Sequence, residues 1–167
     1  MKSFQKNLMA SEDVKSLLVT GVSTTLAFND GDAVVIGGLA DVADVNVRTL
    51  TYGAGATGVV DYVGVSHGDI QGVTYRDGIK TIGLTAIAGE PVRVRVLKEA
   101  DTFYLTTANF TGIPSVGKFA TAATDGTWTI ADAAPASGLY LKIETSKNLI
   151  MGTRNADVRY FCSAHIA

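Results

Sequence analysis

From Gly21 onward, apolar and polar residues alternate in short runs, each closed by Gly, Asp, Asn or Pro. STTLAF ends at Asn29-Asp30-Gly31-Asp32, and AVVIGGL resumes after it. Asp-Gly between two such runs is a hairpin signal. NVRTLTY follows, then a Gly-rich patch, then GVVDYVGVS. His67-Gly68-Asp69 and Arg76-Asp77-Gly78 mark turns on either side of IQGVTY, and KTIGLTAI comes next. A period of two, bounded by turn residues, is the pattern of half-buried antiparallel strands.

The signal is densest between Gly89 and Thr145, where PVRVRVL, TFYLT, GTWTI and LYLKIET are β-branched or aromatic. Between them lies IPSVGKF, in which Pro114 fixes φ and Gly117 permits a turn before a new strand. The last candidate strand is DVRYFCSAHI, with Val158, Tyr160 and Cys162 on one face and Arg159, Phe161 and Ser163 on the other. Short strands every eight to twelve residues, with no long helical period, predict an all-β fold, an antiparallel sandwich or barrel. Helix content below roughly 15% is expected, against about a third in ordinary proteins.

Residues 1–20 read differently. Phe4, Leu8 and Met9 fall at helix-like spacing, and Ser11-Glu12-Asp13 ahead of VKSLL suits the start of a short helix. Two readings stay open: a frayed terminus or one amphipathic turn, or an arm that reaches a neighbouring subunit. The expected organisation is an N-terminal arm or short helix over 1–20 and a single β domain over 21–167. Phe4, Leu8 and Met9 are the candidate contact residues.

Composition narrows the classes. The 167 residues suit one domain, 47% are hydrophobic, and only 18% are charged. Net charge is −2, and no Lys/Arg cluster exceeds a pair, so the footprint of a nucleic-acid binder is missing. No apolar run approaches the ~18 residues of a membrane span. The start lacks a continuous apolar core, so no secretory signal is expected. The single cysteine, Cys162, excludes an intramolecular disulfide framework and a Cys-rich zinc site, and reads as a small buried apolar residue.

A search for chemistry returns little. Gly53-Ala54-Gly55-Ala56-Thr57-Gly58 matches GxGxxG, but the run after it is strand-like and provides no helix N-terminus for a pyrophosphate. His67 reads as a turn residue and His165 as a terminal or interface side chain; neither has a second ligand at metal spacing. Cys162 and His165, three apart on one strand, point to opposite faces. Nothing in the pattern converges any two of Asp41, Asp44, Asp61, Glu90 and Asp101. Asp30-Gly31-Asp32 lacks the ligand spacing of a calcium loop. Asn109-Phe110-Thr111 is a glycosylation sequon, relevant only in a secretory pathway. Trp128 suits either a core anchor or a sugar platform. No catalytic residue, metal or cofactor is expected.

The order GEPVRVRVLKEADTFYLTTANF, IPSVGKFATAATDGTWTI, ASGLYLKIET resembles the C-terminal half of head decoration (cement) proteins of tailed bacteriophages. The upstream DGDAVVIGGLADV is similar to an early strand of that family. The resemblance spans 21–166, is strongest over 89–145, and weakens across the final MGTRNADVRYFCSAHIA. It implies a structural virion protein made in the host cytoplasm. Such a protein sits on the outer capsid surface, binds the major capsid protein, reinforces the shell, and is often a trimer. Phe4, Leu8 and Met9 would then be capsid contacts. The alternative is a head fibre, tail or spike component with glycan-binding capacity, stacking sugars on Trp128, Tyr104 and Tyr140. Neither reading involves nucleic acid or a membrane.

Overall fold

The computed structural model describes residues 2–41, 44–61, 85–149 and 157–167. The turns expected at 67–69 and 76–78, with the strand expected between them and His67 itself, lie outside the described residues. Among the described residues, 55% are in strands and 7% in helical turns, so the chain is all-β as its alternation predicts.

Two β structures share the chain. The first is a closed barrel of β2 (Leu18–Val22), β4 (Ala33–Asp41), β5 (Asp44–Thr51), β6 (Gly58–Val60) and β8 (Val92–Val96). Its order is β2-β5-β4-β6-β8, with β8 returning to β2; only the β2–β5 pair is parallel. A ribbon of β3 (Phe28–Asn29) and β7 (Thr85–Ala86) adjoins it. The second is a seven-stranded sheet drawn from both ends of the chain. It contains β1 (Phe4–Leu8), β9 (Thr102–Thr106), β10 (Phe110–Thr111), β11 (Phe119–Ala122), β12 (Trp128–Ala131), β13 (Leu139–Leu149) and β14 (Asp157–Ile166). Its order is β1-β9-β14-β13-β11-β12-β10.

Strand parity divides the apolar residues between two cores. Val34 and Val60 point into the barrel with Phe28, Leu50, Val92 and Val94. Their neighbours Ala33 and Val59 point the other way, against Phe103, Leu105, Trp128, Leu141, Ile143 and Cys162 of the sheet. Successive side chains of a strand face opposite sides, so one dipeptide serves both cores. This explains why AVVI and GVV are continuously apolar: those strands are buried on both faces.

The Asp30-Gly31-Asp32 turn joins barrel to sheet. Gly31 has φ +82, and a Cβ there would stand 2.4 Å from Asn109 Nδ2, so both conformation and space require glycine. Trp128 Nε1 donates to the Gly31 carbonyl (3.1 Å), and Asn109 Nδ2 donates to that of Asp30 (2.9 Å). Asn109 Oδ1 accepts from the Ser3 and Thr106 amides and from Thr106 Oγ1. The fully buried Asp32 accepts from Lys2 Nζ (2.6 Å) and from the Asn29 amide (2.8 Å). The Tyr52 hydroxyl stands 2.6 Å from the Ala27 carbonyl and 2.8 Å from Asp32 Oδ2. Burial first, and the Asp32 carboxylate second, push that hydroxyl's pKa up.

The expected arm at 1–20 is instead part of the fold. β1 pairs antiparallel with β9, matching Phe4 with Leu105, and the Phe4 amide donates to Asp30 Oδ2 at 2.7 Å. A four-residue helix, α1 (Ala10–Asp13), follows, then a 3-10 turn over Lys15–Leu17 that leads into β2. Asp101, from a distant turn, caps α1 by accepting from the Ala10 amide at 2.7 Å. The boundary drawn between 20 and 21 therefore falls inside a barrel stave.

Candidate functional site

The three N-terminal candidates separate. Phe4 (7% exposed) and Met9 (2%) belong to the core between barrel and sheet, whereas Leu8 is 71% exposed. Phe4 packs on Phe103 with ring centroids 5.3 Å apart. An irregularity in register between Lys6 and Leu8 explains the split, because it breaks the alternation and turns Leu8 outward before Met9 turns in. Phe4 and Met9 are thus withdrawn as contact residues, and Leu8 alone keeps a free apolar surface.

The sugar-platform reading of Trp128 is also corrected: the indole is fully buried. The sequon asparagine, Asn109, is buried in the barrel–sheet joint. Cys162 lies in the core, and burial, then Glu144, push its thiol pKa up. Cys162 and His165 occupy opposite faces of β14, as strand parity predicts. Among the candidate carboxylates, Asp61 is the counter-ion of buried Arg95 at 2.6 Å. Asp101 caps α1 and accepts from the Lys98 amide. Arg95 also reaches Ser11 Oγ (2.9 Å) and Glu12 (2.5 Å). Lys6 first, and then Arg95, hold the Glu12 carboxyl below its usual pKa range. The short helix α1 covers Arg95 through Ser11 and Glu12. Among the described residues, no group of three or more His, Cys, Asp or Glu is arranged to hold a metal. No described helix is long and apolar enough to cross a membrane.

Two surface features stand out. The first is the IPSV loop between β10 and β11. Ile113 is 86% exposed and Val116 57%, while Pro114 between them is buried. Gly112 (φ +99) and Gly117 (φ +85) bend the chain at both ends. The Lys118 amide donates to Ser115 O, and the Gly117 amide to Ile143 O at 2.8 Å, fixing the loop to β13. The result is an apolar prong of two exposed side chains on a loop hydrogen-bonded to β13.

The second lies on the outer face of the sheet. Tyr104 packs on Phe161 (5.0 Å), and Phe119, Tyr140 and His165 form a row across β11, β13 and β14. Beside them runs a chain of hydrogen bonds. Glu99 accepts from the Ile166 amide (2.7 Å) and lies 2.8 Å from His165 Nδ1. His165 Nε2 lies 3.0 Å from Ser163 Oγ, which donates to Glu144 at 2.8 Å. The Ile166 amide first, and then His165, hold the Glu99 carboxyl below its usual range. Burial pushes the Glu144 carboxyl up, but Ser163 and Lys142 outweigh it and leave that group lowered.

Glu99, His165 and Ser163 have the outline of an acid–base–nucleophile relay. Nucleophilic attack requires the serine proton to pass to the imidazole, and here that proton is given to Glu144. Ser163 also lies on a strand paired on both sides, by β9 and β13, so its backbone is engaged in ladders rather than free as an oxyanion hole. Sequence reading missed this arrangement because Glu99 lies in a turn 66 residues from His165. No family model, curated protein or solved structure matches this chain.

Proposed function

We propose that this chain is a structural subunit that decorates a tailed-phage head, binding the outer surface of the major capsid protein shell and reinforcing it. The observation that carries this reading is the exposed, prefixed apolar prong at Ile113 and Val116. Fully burying a side chain of this size contributes about 1.5–3 kcal/mol, and a loop already held in place loses little conformational entropy on docking. The all-β architecture and the resemblance carried by residues 89–145 support the same reading. Leu8, on the edge strand β1, adds a further apolar contact, and self-association, as a trimer for example, would repeat both features around a shell symmetry axis.

Co-sedimentation with purified empty phage shells tests the proposal. The wild-type chain is expected to bind, and the doubly changed Ile113→Asp, Val116→Asp chain to bind at least about tenfold more weakly, a loss of about 1.4 kcal/mol. Equal binding by a folded double variant would remove the prong from the interface. Absence of wild-type binding to any shell would overturn the decoration role.

A further inference from the structure

The chain Glu99–His165–Ser163–Glu144 contains three hydrogen bonds and ends on a carboxylate at each side. A carboxylate only accepts, so three bonds between two such ends need three protons. Ser163 Oγ supplies one, to Glu144. The other two must come from His165 Nδ1 and Nε2, and only an imidazolium carries both. A neutral imidazole leaves one of the three bonds unmade.

We propose that this chain is a proton-dependent clasp, closed when His165 is charged, that fastens the C-terminal end of β14 to the β8–β9 turn and to β13. Glu99 ties the turn to β14 through two bonds, one to His165 and one to the Ile166 amide. Glu144 and Lys142 face the cluster from β13, where they pair with each other at 3.2 Å, and Tyr140 stacks on the imidazole with centroids 5.3 Å apart. The acceptors remain ionised well into acid because both carboxyls are held low. Imidazoles ordinarily titrate between pH 5 and 8. The clasp is therefore complete when the ring carries both protons and lacks one of its three bonds when the ring is neutral.

The test compares the wild-type chain with His165→Gln and Glu99→Gln at low salt, by thermal unfolding and by amide exchange at Ile166, each pair at the same pH. At pH 5.5 the wild type is expected to melt about 2–4 °C above either variant, the shift of roughly one ordinary hydrogen bond in a chain of this size. At pH 8 that advantage shrinks by at least half, and 1 M salt reduces it at both pH values. Protection of the Ile166 amide relative to Glu99→Gln is expected to fall at least threefold between the two conditions. An advantage that is equal at pH 5.5 and 8, or larger at pH 8, overturns the proposal. Because no partner enters the measurement, it stands or fails independently of any capsid role.

Discussion

The indole N–H of Trp128 donates to the carbonyl of Gly31 across 97 residues of sequence, joining the sheet to the turn that starts the barrel's second stave. That carbonyl is buried with the ring, so the bond and the packing depend on the same side chain. Trp128→Phe removes the donor and part of the ring together. The expected cost is about 2–4 kcal/mol, a cavity plus an unsatisfied acceptor, read as a lowered urea midpoint with unchanged slope. A loss below 1 kcal/mol would mean that the joint closes around the gap.

Removing residues 1–20 is expected to unfold the chain rather than free an arm. The deletion strips β1 from its sheet, takes three of the five residues of β2 out of a closed barrel, and removes Ser11 and Glu12 from Arg95. Two buried apolar side chains, Phe4 and Met9, leave with it, worth about 3–5 kcal/mol and 2–5 kcal/mol on the scale of core truncations. Circular dichroism and exchange broadening of the truncated chain check this; a native-like sheet spectrum would refute it.

Acid weakens the fold through surface carboxyls. Glu12, Asp125, Asp132 and Glu144 all have folded pKa values below their ordinary ones, through Lys6 and Arg95, through Thr127, through Lys118, and through Ser163 and Lys142 respectively. A depressed carboxyl stabilises the fold above its unfolded pKa and loses that contribution as pH falls through the folded one. Stability is therefore expected to decline below about pH 4, and more shallowly in high salt. A urea midpoint that rises between pH 4 and 2.5 would contradict this.

Much of the architecture was legible in the alternation. Val92 and Val94 in PVRVRVL, Phe103 and Leu105 in TFYLT, and Tyr160 and Cys162 in DVRYFCSAHI all face a core, as period two requires. Three things were not legible. Phe4, Leu8 and Met9 suggested a helix face because an irregular register mimics that spacing. The burial of Arg95 was not legible because alternation carries no information about the distant Ser11, Glu12 and Asp61 that enclose it. The Glu99–His165 contact joins a turn to a strand end, and no local pattern encodes it. The prong was readable in part: Pro114 and Gly117 marked a turn, but nothing local said that Pro114 would be buried while Ile113 faced water.

The position of β9 between β1 and β14 governs the order in which the chain completes itself during synthesis. The barrel draws on residues 18–96, so its staves are all available before β9 has been made. β1 then waits with an open edge until residue 106 emerges, and β9 lacks its second neighbour until residues 157–166 follow. The sheet thus rests on pairings between residues far apart in sequence, the kind of contact that forms slowly. A chain interrupted before residue 102 lacks the partner of β1, and an unpaired strand edge of that kind favours aggregation.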